Sequence, residues 1–98
     1  MEDNFKLQII SPEKILFSES VKMVTVPSYE GDMSILKNHI SIISFLRPGR
    51  VKIKKNNESL EEFFLDDGTM EFTEDNLVIL SSSAMNLKNI SKEFLDNV

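Results

Sequence analysis

His39 is the single histidine of a 98-residue chain, and Glu30 and Asp32 precede it on a short turn around Gly31. An imidazole beside two carboxylates is the raw material of a general base or a metal site. Either use requires geometric convergence, and a metal requires three or four ligands. One histidine and two carboxylates on one turn fall short of that set. A loop histidine hydrogen-bonded to backbone is the plainer reading of His39. Asp66-Asp67 invites a cation, yet it lacks the alternating oxygen ligands and terminal Glu of a calcium loop. With Gly68 it reads instead as an Asp-Gly hairpin turn. No Ser-centred nucleophile elbow or phosphate-cradling glycine loop occurs, and the chain has only three glycines. It has no cysteine, hence no disulfide framework and no thiolate metal site. The expectation is no catalytic residue, no cofactor and no metal.

The elements that must carry these residues are short and alternating. Phe5, Leu7 and Ile9 alternate with Asn4, Lys6 and Gln8, the mark of a strand with one buried face. Ser11-Pro12 stops it. Lys14 to Phe17 reads as a second strand, Ser18-Glu19-Ser20 as a turn, and Val21 to Val26 as a third strand with a central place. Pro27, with no N–H to give, ends that run. Ile40, Ile42 and Ile43 form an apolar run to Phe45 that reads as buried, and Arg47-Pro48-Gly49 carries turn chemistry. Val51 and Ile53 alternate with Arg50, Lys52 and Lys54. Asn56-Asn57 turns the chain, and Leu60 to Leu65 pairs back with Glu61 and Glu62 toward the lysines. Met70 and Phe72 alternate in the next strand. Glu74-Asp75-Asn76 turns again into the apolar run Leu77 to Leu80.

Such spacing predicts an all-β fold, an antiparallel sandwich or flattened barrel of about eight to ten short strands over residues 1–84. Leu87, Ile90, Phe94 and Val98 recur at helical spacing, so a short C-terminal helical tail is expected over 85–98. Ile10, Leu16, Val24, Ile43, Phe63 and Val78 fall out of phase with the other apolar residues of their strands. Two readings stand side by side: a sandwich whose outer face is partly covered by loops or tail, or a second apolar face docked on a partner.

The totals narrow the function. Net charge is −5, which disfavours nucleic acid, since phosphates demand clustered Lys and Arg. The run Arg47, Arg50, Lys52, Lys54, Lys55 reads as a solvated strand face. No apolar stretch is long enough to span a bilayer, so no direct membrane insertion is expected. Met1-Glu2-Asp3-Asn4 is unlike a secretory signal, and the triplets Asn57-Glu58-Ser59 and Asn89-Ile90-Ser91 are then chance matches to a glycosylation acceptor.

The stretch Val26 to His39 also carries a resemblance. Pro27-x-x-Glu30-Gly31-Asp32, followed by Leu36-x-x-His39, is similar to a loop of the ATP synthase epsilon subunit family, where Leu-Pro-Gly-His closes the motif. Lys37-Asn38 replaces the Pro-Gly here, and Asn is the commonest non-Gly residue at positive φ. Ile9-Ile10-Ser11-Pro12-Glu13-Lys14-Ile15-Leu16-Phe17-Ser18 resembles the family's opening hairpin, and Leu46-Arg47-Pro48-Gly49 its mid-chain turn. The likeness runs in order from about Phe5 to Ala84.

The resemblance implies a non-catalytic subunit in the central stalk of a proton-transporting ATP synthase, peripheral on the cytoplasmic face of the bacterial inner membrane. It implies two partners, the gamma subunit along one side and the polar loops of the c-ring at one end. Glu30, Gly31 and Asp32 are the implied ring-contact loop. Leu36 and His39 lie near gamma or ring, and Ser11 and Ile43 are candidates for the gamma-docking face. Because only about one helix's worth of residues follows the sandwich, no ATP binding is expected. The rivals are a free-standing β-sandwich binding module and a small enzyme using His39.

Overall fold

The computed structural model describes residues 4–87. Nine strands run in chain order: β1 (Phe5–Ile10), β2 (Ile15–Ser28), β3 (Gly31–Leu36), β4 (Ile42–Leu46), β5 (Gly49–Lys55), β6 (Leu60–Leu65), β7 (Gly68–Thr73), β8 (Asn76–Ser81) and β9 (Ala84–Asn86). They form two layers sharing β2. Its first half pairs with β1, and β1, β8, β7 and β4 follow edge to edge. Its second half lies between β3 and β5, and β6 and β9 follow. A single pairing of Ser28 with Leu46 joins the end of β2 to β4 and closes the circuit into a flattened barrel. All pairings are antiparallel except β1 with β8. The expected tail, apart from β9 and Leu87, lies outside the described residues.

The core follows the alternation. Phe5, Leu7, Ile9, Val51, Ile53, Phe63, Leu65, Met70, Phe72, Leu77 and Ile79 are all buried. Phe17 and Phe63 meet edge to face across the two layers at 5.8 Å, and Phe5 meets Phe72 at 5.5 Å, both favoured ring geometries.

Three expectations need correction. Ser18-Glu19-Ser20 is not a turn. It pairs residue by residue with Gln8, Leu7 and Lys6, so two expected strands are one of 14 residues. None of the three is Gly, Pro or Asn, and nothing in them forces a reversal. Nor does Pro27 end β2, which continues to Ser28 with Pro27 opposite Asp32. Finally, Asp66-Asp67-Gly68 is no hairpin. β6 belongs to one layer and β7 to the other, so the segment is a crossover. The positive-φ hairpin lies instead at Glu74 (φ 50) and Asp75 (φ 60), a two-residue loop joining β7 to β8 with the twist that antiparallel strands favour. At the β5–β6 turn the left-handed residue is Glu58 (φ 71), while Asn57 Oδ1 accepts from the Ser59 N–H at 3.0 Å.

A bulge explains part of the phase shift in the apolar pattern. Between Val21, opposite Lys55, and Met23, opposite Lys54, β2 carries Lys22 as an extra residue. The inward side therefore switches from Phe17 and Val21 to Val24 and Val26, all buried. Val24 and Phe63 are thus core residues and not part of an outer face.

Charge pairs rim the second layer. Lys55 Nζ lies 3.3 Å from both Glu19 and Glu61, and the buried Glu61 also accepts from Asn86 Nδ2 at 2.6 Å. Hydrogen bonds to Glu19 and then Glu61 raise the Lys55 pKa. Lys22 and then Lys54 lower that of Glu58. The signs separate the two. The Lys55 contribution is complete below the amine's unfolded pKa and disappears as pH rises through the raised folded value. The Glu58 contribution is complete above the unfolded carboxyl pKa and disappears as pH falls through the lowered value. Lys55→Met is therefore expected to lower the melting midpoint at neutral pH, with the deficit shrinking in strong alkali. A constant deficit across an alkaline melting series would contradict the pairing.

Candidate functional site

Two features of the surface converge: an exposed apolar face on the first layer and an acidic turn at one edge of it. The face is built by register. Phe45 lies opposite Thr69, Thr69 opposite Leu80, Leu80 opposite Ile10, and Ile10 opposite Ile15. The next row runs Ile43, Glu71, Val78, Gln8 and Ser18. Ile43 is 75% exposed and Phe45 70%, so the expected buried run is instead an outward stripe. In β4 only Leu46 is fully buried, and Ile40 is exposed as well. Alternation explains this, since Ile43 and Phe45 share the side of the strand opposite to Leu46. Ser11 lines a shallow groove with Ile10, Pro12 and Leu80 on this same side. A second groove, lined by Tyr29, Phe45 and Asp67, meets it at Gly68 and Thr69.

The acidic turn is held at its root. Ser28 and Gly31 pair, leaving Tyr29 and Glu30 as the loop. Gly31 takes φ 119 with open space about it, a conformation that side chains with a Cβ resist. The buried Ser28 hydroxyl accepts from the Glu30 N–H at 3.2 Å and shares a hydrogen bond with Ser44 at 2.9 Å. The Tyr29 N–H donates to the Phe45 carbonyl at 3.2 Å and the Arg47 N–H to the Pro27 carbonyl at 2.9 Å. Arg47 also pairs with the Asp32 carboxylate at 2.7 Å. Glu30 and Asp67 are exposed, and Asp67 shares the second groove with Tyr29.

Leu36 and His39 lie at the other end of β3. That strand has six residues, so at ~3.3 Å per residue Leu36 lies roughly 17 Å from Gly31. No general-base or metal constellation of His39 with Glu30 and Asp32 forms. His39 Nδ1 lies 2.7 Å from the Ile40 carbonyl, its N–H donates to Leu36, and its ring meets Phe72 edge to face at 5.9 Å. Asn38 takes φ 69, the left-handed conformation open to Asn, and its N–H donates to Asp75 at 2.9 Å. Among the described residues no group of acids and histidines is arranged to hold a metal ion. None of their helices is long and apolar enough to cross a membrane.

The sequence reads Phe45 and Leu80 as ends of apolar runs and assigns Tyr29 no role, whereas all three are exposed. Their outward place is visible only once neighbouring strands are in register, because an apolar run does not say which of its residues face out.

Comparison with known proteins follows the same outline. The family model of the ATP synthase Delta/Epsilon chain, beta-sandwich domain, matches residues 4–87. The ATP synthase epsilon chain of Pelagibacter ubique is 48% identical over 95 residues, covering 95% of this chain and 72% of the relative. That of Rhodospirillum rubrum is 33% identical over 93 residues, covering 95% and 69%. Among solved structures, a chain of the Euglena gracilis mitochondrial ATP synthase, OSCP/F1/c-ring, superposes with a TM-score of 0.87 at 19% identity, over 99% of this chain and 62% of that one. A chain of the Tetrahymena thermophila mitochondrial ATP synthase central stalk and c-ring gives 0.72 at 17% identity, over 90% and 70%. At such identities the structural likeness speaks for the fold.

Proposed function

The chain belongs to the family of ATP synthase epsilon chains, non-catalytic subunits of the peripheral, membrane-associated F1 sector, and from that premise we propose that its sandwich couples the gamma subunit to the c-ring. The outer face of the first layer, with Ile43, Phe45, Leu80, Ile10 and Ser11, docks on gamma. The Glu30-Gly31-Asp32 turn meets the polar loops of the ring. Rotation of the ring driven by protons is thereby passed to the stalk, with the complex on the cytoplasmic face of a bacterial inner membrane. This work is mechanical: it needs a stiff body with two contact surfaces and no reacting group.

One observation carries the reading. Phe45, Leu80, Ile10 and Ile15 bring apolar side chains from four strands into one outward row, with Thr69 of β7 between Phe45 and Leu80, and the acidic turn lies at the edge of the same face. A contiguous apolar face rimmed by charge is what a protein interface requires. Acidic residues at a rim suit a cationic partner loop, contributing docking rate and register more than affinity. Tagged chain drawn from detergent-solubilised membranes is expected to bring down the other F1 subunits and the ring together. Recovery of the chain alone would favour a free-standing binding module.

A further inference from the structure

Two carboxylates flank Gly31, yet the structure gives them different surroundings. Asp32 is held by Arg47 at 2.7 Å. Glu30 makes no ion pair among the described residues and projects from the two-residue loop. We propose that Arg47 is a positioning residue, which neutralises Asp32 and braces the turn so that Glu30 is the carboxylate presented to the ring. This rests on the reading of the turn as the ring contact.

The brace has a reason in the backbone. Pro27 stands opposite Asp32 in the ladder and brings no N–H to that pair. Its carbonyl is taken by the Arg47 N–H at 2.9 Å. The root of the hairpin is therefore fastened sideways to the β4–β5 turn as well as across its own ladder. Arg47 itself is well anchored. It follows Leu46, fully buried and paired with both Ser28 and Gly68, and it precedes Pro48. Its guanidinium can then hold Asp32 in one place, with the planar donor geometry that suits a carboxylate.

The consequence is a division of labour. With Asp32 compensated, the turn offers one uncompensated negative charge at its tip, and Asp67 on the crossover shares a groove with the neighbouring Tyr29. A partner loop carrying a cation would read Glu30 directly and Asp32 only through the shape of the turn.

Charge exchange separates the two roles. Full-length chain assembled into F1 is bound to membranes that carry the ring but have been stripped of F1, over a range of ionic strength. Glu30→Gln is expected to weaken attachment about two- to fivefold at low salt and to flatten its salt dependence. Asp32→Arg and Arg47→Asp should each weaken it further, since each sets like charges against one another at the root of the turn. The double variant Asp32→Arg/Arg47→Asp rebuilds the pair reversed and should return attachment to within about twofold of the parent, the signature of coupled neighbours. Absence of rescue, or flattening by Asp32→Asn equal to that by Glu30→Gln, would overturn the division. If even the single reversals leave attachment and its salt dependence unchanged, the turn is not the ring contact and the proposal falls with that reading. Melting midpoints of the variants exclude simple unfolding as the cause of any loss.

Discussion

Gly68→Ala is expected to lower the melting midpoint of the chain by more than ten degrees. Gly68 opens β7 directly after the crossover from one layer to the other, paired with Ser81 on one side and Leu46 on the other. A methyl group built on it overlaps the Leu80 carbonyl oxygen and lies 3.1 Å from the Leu80 carbonyl carbon and 3.2 Å from Ser81 Cα. These are backbone atoms, so no side chain can swing aside. β7 would have to lift away from β8 and disturb the Ser81 hydroxyl, which donates in this crossover to the Asp67 carbonyl at 2.6 Å. Overpacking of this kind costs roughly 1–3 kcal/mol, and contact with backbone places it at the upper end. In a domain of this size 1 kcal/mol is worth about 4–8 °C. Gly31→Ala is the control. It has open space and suffers only from its φ of 119, a strain of about 1–2 kcal/mol. Thermal melts of the two variants should rank Gly68→Ala below Gly31→Ala. A Gly68→Ala midpoint within a few degrees of the parent would refute the close approach.

Gly68 also shows where the sequence was readable and where it was not. Asp66-Asp67-Gly68 has the composition of a hairpin turn, but the glycine is needed for a close backbone approach and not for a positive φ. Composition reports that a small residue is wanted; it does not report why. The same limit hid the long β2, because Ser18-Glu19-Ser20 is polar enough for a loop yet is held extended by β1. By contrast, Phe5-Leu7-Ile9, Met70-Phe72 and Leu77-Ile79 announced their faces outright, since alternation is a local property of a half-buried strand. Within the candidate site, the turn at Glu30-Gly31-Asp32 was legible because Gly31 must take a conformation others avoid. The Arg47–Asp32 pair was not, because the two residues are 15 positions apart and meet only through the fold. Ile43 was legible as out of phase although it read as part of a buried run, and Phe45, two residues on, read only as the end of that run. Only the register with β7 and β8 turns isolated apolar residues into a face.

That face sets the second large effect. Replacing Ile43 and Phe45 together by Asp should abolish gamma binding while leaving the fold intact. Both side chains point away from the core, 75% and 70% exposed, so in the free chain their loss removes little buried area. The change in melting midpoint should be small, as for most surface substitutions. On the proposed docking, the same positions form the centre of an apolar contact with gamma. A buried aromatic or large aliphatic anchor there is worth about 2 kcal/mol or more on truncation, and two carboxylates add the penalty of burying unpaired charge. At 1.4 kcal/mol per tenfold, affinity should drop by at least roughly 30-fold. Leu60→Asp tests specificity of place, because Leu60 is 73% exposed but belongs to β6 in the other layer. Titration of purified gamma subunit with each variant, followed by calorimetry, gives the answer. Loss with the Ile43/Phe45 pair and full binding with Leu60→Asp locates gamma on the first layer. The reverse pattern would move it to the second layer, and unchanged binding by all of them would remove both outer faces from the interface.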